Sequence, residues 1–196
     1  MSAGAIDDDD ARFEELSEYR AARAKIDATV ARVVARRRDD LACTKGCAAC
    51  CADGLTVLSV EAHGIALHLA REGLTARPAL RTGACAFLDD GGACTIYDAR
   101  PFVCRTHGLP LRAATRRALT VVDEARDGVT HCELNFVAIA PRDEDVIDAV
   151  TVQALLTTVD ARFRARVEID DERVALRALA EEACAALDEG EGPRGP

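Results

Sequence analysis

The stretch that decides the fold is Cys43-Thr44-Lys45-Gly46-Cys47-Ala48-Ala49-Cys50-Cys51. If this stretch is helical, Cys43, Cys47 and Cys50 share one face, because residues three and four apart lie on the same side of a helix. If it is a loop, Gly46 lets the backbone bend so that the thiols converge. Either geometry brings several sulfur atoms together, and thiolates favour zinc, copper(I) and iron–sulfur iron over hard cations. The stretch therefore predicts a metal centre.

The adjacent pair Cys50-Cys51 is hard to use on a single ion. In a strand the two side chains point to opposite sides, and in a helix they diverge by about 100°. One of the pair is therefore not a ligand, or the two serve a bent loop, a multi-iron cluster or two separate centres.

Further cysteines follow at wider spacing. The candidate metal ligands are Cys43, Cys47, Cys50, Cys51, Cys85, Cys94, Cys104 and Cys132. Scattered burial of small apolar residues does not explain such a cluster, and we keep that interpretation for Cys184 alone, which lies beside the apolar stripe of the last predicted helix. A disulfide framework needs an oxidising compartment, which the N-terminal sequence does not favour.

Composition and charge narrow the classes of partner. The 196 residues are 49% hydrophobic and 30% charged, which suits one globular domain. The net charge of −9 argues against nucleic acid and against an anionic membrane surface as partners. The N-terminus has neither the basic start nor the apolar core of a secretory signal, and no apolar run is long enough for a membrane span. We expect a cytoplasmic protein, whose reduced thiols favour metal binding or catalysis.

Helices are predicted on both sides of the cysteine region, and one more is predicted within it. Apolar residues at helical spacing indicate helices at 11–38, between Ser59 and Gly73, at 143–164 and at 170–188. Ser59 suits an N-cap, Glu61 suits the first turn and Gly73 suits the C-terminal stop. The acidic tail 1–10 and the Gly- and Pro-rich tail 190–196 are expected to be disordered, which leaves one cysteine-cluster domain at 11–189.

Short strands are predicted in the middle of the chain. The segments beginning at Cys85 and Cys94 flank Asp89-Asp90-Gly91-Gly92, a pattern typical of a hairpin with a glycine-rich turn. Thr56–Leu58 and Thr120–Val122 are further candidates. The predicted fold is mainly α (α+β), with helices packed around an irregular cysteine-rich metal-binding centre and a small β-hairpin.

The segment Arg100–Gly108 surrounds Cys104. Pro101 fits the first turn of a short helix, which would place Cys104 and His107 on one face. His107 is then a ligand, a hydrogen-bond donor beside the ligands, or a polar partner of the backbone; with thiols in excess, we do not count it among the ligands. Lys45 and Arg105 are the cations nearest to the candidate ligands, and cations there would offset the charge of bound thiolates.

Several of these segments together resemble one family. The pattern Cys43-x3-Cys47-x2-Cys50-Cys51, followed by Cys85-Ala-Phe-Leu, Cys94-Thr-Ile-Tyr and Arg100-Pro101-x2-Cys104-Arg105, resembles the YkgJ-like cysteine-cluster family of zinc- or iron-chelating proteins. The resemblance covers about 43–132 and implies a metal or iron–sulfur domain without an assigned reaction. Flagellin lysine N-methylases look like distant relatives, but no motif in this chain carries their activity over.

Two hypotheses of function follow. The first is a module that holds a metal or an iron–sulfur cluster for metal handling, electron transfer or structure; the second is an enzyme that uses the cluster in redox or group transfer. We favour the first, because no nucleotide-binding fingerprint, P-loop or working acid pair is present. Eight thiols and the Cys-Cys pair favour a cluster, most simply [4Fe–4S], over zinc, although two zinc sites would use the same residues.

Serine substitution separates ligands from the lone cysteine. Cys47→Ser is expected to release metal and to lower the melting temperature, since the hydroxyl is a poor replacement for the thiolate. Cys184→Ser is expected to do neither. Metal content and thermal unfolding of the two purified variants check this, and equal tolerance at both positions would contradict it.

Overall fold

Helices dominate the chain. The computed structural model describes residues 13–44, 46–74, 83–112 and 128–188, without the side chains of 184–188. The helices are α1 (Ser17–Arg36), α2 (Ser59–Glu72), α3 (Phe102–Thr106), α4 (Ala149–Val167) and α5 (Leu176–Asp188). The mainly α prediction is confirmed. Among the described helices, none combines the length and the apolar character needed to cross a bilayer.

Two small sheets accompany the helices. The strands are β1 (Thr56–Leu58), β2 (Leu111–Arg112), β3 (Val129–Thr130), β4 (Ile147–Asp148) and β5 (Arg173–Ala175). β1 pairs antiparallel with β5, with Val57 opposite Val174. β2 lies between β3, which is antiparallel to it, and β4, which is parallel. The strand predicted at 56–58 is confirmed, whereas the one predicted at 120–122 lies outside the described residues.

The predicted hairpin is reduced to one bridge and a turn. Leu88 and Cys94 form an isolated antiparallel bridge. Between them the Asp89 side chain accepts a hydrogen bond from the Ala93 N–H at 2.8 Å, and the Asp89 N–H donates to the Ala93 carbonyl at 2.9 Å. These local bonds hold the turn, so the cysteines on either side come close without a longer ladder.

Both C-terminal helices begin later than predicted. The segment Asp143–Asp145 is a 3₁₀ turn, and α4 begins at Ala149 after the Asp148 carboxylate has capped the Val150 and Thr151 N–H groups at 3.1 and 3.2 Å. The segment before α5 is strand β5, which pairs with β1. Both acidic runs suit a helical first turn, and tertiary pairing overrides that preference.

The N-terminal helices also differ from prediction in detail. α1 covers Ser17–Arg36 within the predicted 11–38, of which 11 and 12 lie outside the described residues. Ser59 is the first residue of α2 instead of its N-cap, and its hydroxyl donates to the Asp171 carbonyl. Glu61 caps this end, since its carboxylate accepts the Leu58 N–H at 3.2 Å. Gly73 follows α2 directly, as predicted.

Helix α2 lies at the centre of the core. One side, with Ile65 and Leu69, packs in a cluster with Phe87, Ile96 and Leu176. The other side packs with α1 and α4. Partly buried Cys85, Cys94 and Cys104 pack against the first cluster. The hydrophobic core therefore supports the loops that carry these cysteines.

Buried carboxylates fix the ends of the central helices. Glu61 is 5% exposed and also accepts the Phe102 N–H at 2.7 Å, where α3 begins. Burial raises the pKa of Glu61, and the two backbone N–H bonds oppose that rise. Asp160 on α4 is fully buried, accepts the Val60 N–H at 2.8 Å and pairs with Arg164 at 2.9 Å.

Removal of the Asp160 carboxylate is expected to destabilise the fold by about 3 kcal/mol, because Asp160→Ala leaves a buried N–H and a partly buried guanidinium without their acceptor. Asp148→Ala removes an exposed N-cap and is expected to cost about 1 kcal/mol. Urea unfolding of both variants measures the difference, and equal losses would contradict the assignment.

Candidate metal centre

Seven of the predicted cysteines line one cavity of about 100 Å³. Its sulfur-bearing walls are Cys43, Cys47, Cys50, Cys51, Cys85, Cys94 and Cys104. Leu55, Phe87, Ile96 and Leu176 supply the apolar part of the lining, and His107 is also present. Cys132 is outside this lining; it is buried, and it lies close to Gly108 on the same side as Cys43. The fold therefore gathers thiols from segments far apart in the chain.

The first four cysteines lie on a loop. The Cys47 N–H donates to the Thr44 carbonyl and the Cys51 N–H donates to the Ala48 carbonyl, both at 3.0 Å, so the chain turns twice without forming a helix. Gly46 has φ +93°, in the left-handed region that glycine adopts at little cost. Of the two predicted geometries, the bent loop is the one observed.

Cys51, Cys85, Cys94 and Cys104 form what we call the Cys51 group. The Cys85 N–H donates to the Cys51 carbonyl at 3.0 Å, beside a bridge between Ala52 and Ala84. A hydrogen bond from the Cys50 thiol lowers the pKa of Cys51, while burial and the charges of the other three members oppose its ionisation. Burial, followed by the charges of Cys85 and Cys94, raises the pKa of Cys104 to about 12. These mutual effects place the four thiols within range of one another's charge.

Backbone N–H groups also point at two of these sulfur atoms. Burial raises the pKa of Cys85 and of Cys94, and the N–H groups of Phe87 and Ile96 respectively oppose the rise by hydrogen bonding to the sulfurs. Such N–H···S bonds stabilise thiolates and tune the metal that they bind.

Cys43, Cys47 and Cys132 form a second neighbourhood, the Cys43 group. Partial burial raises the pKa of Cys43; the Asn135 amide lowers it by hydrogen bonding, and the charges of Cys132 and Cys47 raise it. Cys50 lies between the two groups, because its charge acts on both Cys43 and Cys104. The Cys50 thiol is also hydrogen-bonded to Cys51, so the adjacent pair connects the two groups.

Arg100 is the cation that the sequence did not single out. Its side chain lines the cavity and stacks on Tyr97, with the guanidinium carbon 3.6 Å from the ring centroid. It also donates to the Tyr97 carbonyl at 3.0 Å. Its charge lowers the pKa values of Cys94 and Cys104 against the larger effect of burial. The signals for it in the sequence are its place between Cys94 and Cys104 and the Arg100-Pro101 pair of the family motif.

Arg105, one of the two cations predicted to lie nearest to the ligands, points away from the cavity. Arg105 turns away to Asp27, at 2.8 Å, and donates to the carbonyls of Arg100 and Asp98. It fastens the loop before α3 to α1. Lys45 lies outside the described residues.

His107 lies just beyond the end of α3. The helix ends at Thr106, so Cys104 and His107 do not share a helical face as predicted, yet both line the cavity. Burial lowers the pKa of His107 and so favours the neutral imidazole, the form that binds metals.

The donor set fits a soft metal or an iron–sulfur cluster. The eight described cysteines are free thiols, and all but exposed Cys43 are partly or fully buried. Thiolates with one neutral imidazole nearby suit zinc and iron–sulfur iron. Within the described ranges, no three His, Cys, Asp or Glu side chains stand at the spacing of a site for one metal ion.

Gly108 leaves room for the Cys43 group. Its φ is +90°, and a Cβ there would lie 2.8 Å from Cys43 Sγ and 3.1 Å from Asn135 Nδ2. Gly54 has φ +82° and open space around it. The two glycines therefore share a backbone conformation and differ in what a methyl group would meet.

Gly108→Ala is expected to displace Cys43 and reduce the metal content, whereas Gly54→Ala is expected only to cost about 1 to 2 kcal/mol of backbone strain. Metal content per chain and urea unfolding of both variants measure these effects. Full metal content in Gly108→Ala would contradict the placement of Cys43 at the centre.

Comparison with known proteins identifies the cysteine region. Residues 42–123 match the family model CxxCxxCC, described as a "Putative zinc- or iron-chelating domain". Neither the curated proteins nor the solved structures include a match to this chain. The matched range contains seven of the eight clustered cysteines and ends before Cys132. Over residues 42–123 the chain is therefore similar to this family, whose description names a zinc- or iron-chelating domain.

Proposed function

We propose that the chain holds an iron–sulfur cluster of the [4Fe–4S] type in the cavity between the cysteine loops. The observation that carries this proposal is the cavity of about 100 Å³ with seven cysteines around it. A zinc ion bound by thiolates at about 2.3 Å leaves no space between its ligands. A cluster of iron and sulfide needs a chamber with thiols on several sides, and this cavity has that form.

The Cys51 group is our first choice for the cluster ligands. Its members, Cys51, Cys85, Cys94 and Cys104, come from separate segments and match the four thiolates that such a cluster takes. Cys43, Cys47, Cys50 and Cys132 then form a second set of four thiols next to it, with the capacity to hold a second centre. All eight cysteines are ligands in this proposal.

The surroundings suit an anionic group. Four thiolates on an oxidised [4Fe–4S] core leave a net negative site, and three features of the chain offset that charge: the guanidinium of Arg100 and the N–H groups of Phe87 and Ile96. The apolar side chains of Leu55, Phe87, Ile96 and Leu176 limit the access of water to the cavity. Charge compensation and solvent exclusion both set the reduction potential of such a centre.

The role that follows is electron transfer, metal handling or structural support within a cytoplasmic domain spanning 11–189. A bound cluster would supply one-electron chemistry. Because its ligands come from loops far apart in the chain, the metal would also stabilise the fold. The second candidate function is an enzyme that uses the cluster. Such an enzyme would need a small-molecule pocket beside the cavity.

Zinc is the alternative occupant, and the neutral imidazole of His107 on the cavity wall favours it, since Cys and His together are typical zinc ligands. Two zinc ions on eight thiols would leave the same residues as ligands. The two occupants differ in that an iron–sulfur cluster contains acid-labile sulfide and is coloured, whereas a zinc site has no sulfide and is colourless.

The deciding experiment is iron, zinc and acid-labile sulfide analysis of protein purified without oxygen, expressed per chain. We expect iron and sulfide in equal amounts, four of each if the Cys51 group alone holds a cluster and eight of each if the second set of thiols holds another. Cys104→Ser is expected to lose both, while Cys184→Ser, the matched control, keeps them. Zinc without sulfide would overturn the iron–sulfur proposal and leave the zinc alternative.

A further inference from the structure

We infer that Asn135 is a positioning residue of the metal centre, and that its amide N–H on Cys43 Sγ controls how firmly Cys43 holds metal and how easily the centre is reduced. The inference rests on the proposed function for the presence of metal at Cys43. Its basis is a set of hydrogen bonds that converge on one buried side chain.

Two backbone groups determine the orientation of the Asn135 amide. Its Oδ1 accepts the Ala42 N–H at 2.8 Å, and its Nδ2 donates to the Gly108 carbonyl at 2.7 Å. Exchange of the oxygen and nitrogen would place an acceptor against an acceptor and a donor against a donor. The second N–H of Nδ2 is therefore the group that faces Cys43 Sγ, at 3.2 Å.

The contact with Cys43 favours the thiolate. A Cys43 thiol can donate to Oδ1 across 3.7 Å, a long bond even for sulfur, while the Nδ2 bond at 3.2 Å needs the sulfur as acceptor. A metal-bound thiolate accepts hydrogen bonds and has no proton to give. The shorter of the two contacts is thus the one that metal binding strengthens.

Asn135 also joins the segments that carry the Cys43 group. It is 1% exposed, and its own N–H donates to the Cys132 carbonyl at 2.9 Å. The Cys132 N–H in turn donates to the Gly108 carbonyl. One side chain therefore connects the segment before Cys43, the turn at Gly108 and the segment after Cys132.

The backbone next to Asn135 is strained. Phe136 has φ +57°, in the left-handed region that is unfavourable for a bulky side chain. Its N–H donates to the Asp40 carbonyl at 2.8 Å, and its ring is 5% exposed beside Arg37 and His131. Such strain persists only where the surroundings hold it, and here the Asp40 hydrogen bond and the buried ring hold Phe136 next to Asn135.

A hydrogen bond to a thiolate withdraws negative charge from the sulfur. In an iron–sulfur centre, bonds of this kind raise the reduction potential, because the reduced form carries the extra negative charge. Loss of a supporting bond of this kind typically weakens metal binding 10- to 100-fold. Both quantities can be measured without a substrate.

The test uses two variants and one control in the full chain. Asn135→Ser removes both Nδ2 donors without introducing charge, and Asn135→Asp keeps the shape but replaces the donors with a carboxylate. Thr130→Val is the control: its buried hydroxyl donates to the Leu111 carbonyl at 3.4 Å, an acceptor outside the Asn135 network. Circular dichroism identifies the variants that keep the helical fold.

We expect a more negative reduction potential in both Asn135 variants, most negative in Asn135→Asp, and metal loss to a chelator about 10- to 100-fold faster than in the unsubstituted protein. Thr130→Val is expected to match the unsubstituted protein in both. The inference is overturned if folded Asn135→Ser keeps the original potential and release rate, or if Thr130→Val changes them equally. If neither Asn135 variant folds while Thr130→Val does, Asn135 is only a structural residue and the inference also falls.

Failure of the iron–sulfur proposal has a different signature. If the purified protein holds zinc without sulfide, the same variants are loaded with Co²⁺ as a spectroscopic substitute. A shifted sulfur-to-cobalt charge-transfer band and faster release would then support Asn135 while iron is rejected. An unchanged band and rate would overturn the role of Asn135 whichever metal is native.

Discussion

The Glu61 carboxylate accepts hydrogen bonds from the starts of two helices inside the core, and the position of Cys104 depends on these two bonds. One oxygen accepts the Leu58 N–H before α2, and the other accepts the Phe102 N–H at the start of α3. Unsatisfied N–H groups at a helix start carry partial positive charge, so two such ends stabilise a buried anion. Since α3 is only five residues long and carries Cys104, the position of that thiol follows from the core.

Similar polar ties position the other loops. Asp145 is 1% exposed and pairs with Arg36 and Arg37 at the end of α1, which directs the chain into the segment before Cys43. Arg177 on α5 pairs with Asp53, just after Cys51. The cysteine loops have almost no ladder of their own, so their backbone is located by side chains anchored on helices. Loops fixed in this way can gather thiols from distant segments without a large sheet.

The sequence was sufficient for the parts that depend on local chemistry. Cysteine spacing predicted the cluster, and the apolar pattern with Gly73 predicted α2. The pairing of β1 with β5 was not predictable, because strands of three residues carry no pattern that names a partner. The acidic runs before α4 and α5 look like helix starts until their tertiary pairing is known. Asn135 was invisible for the same reason: one asparagine in a loop acquires its role only from Ala42, Gly108 and Cys43 around it.

Seven thiols around one cavity pose an electrostatic problem that burial itself resolves. Desolvation raises the pKa values of Cys85, Cys94 and Cys104, so these thiols stay neutral in the metal-free fold and do not repel one another. Cys51 is the exception, since the Cys50 thiol hydrogen bonds to it and lowers its pKa. The pair that looked awkward for one ion therefore has a physical use, because one member donates the hydrogen bond that stabilises its neighbour as a thiolate. Metal binding then exchanges the remaining protons for a cation, and the same burial that protected the neutral thiols strengthens the bonds that replace them.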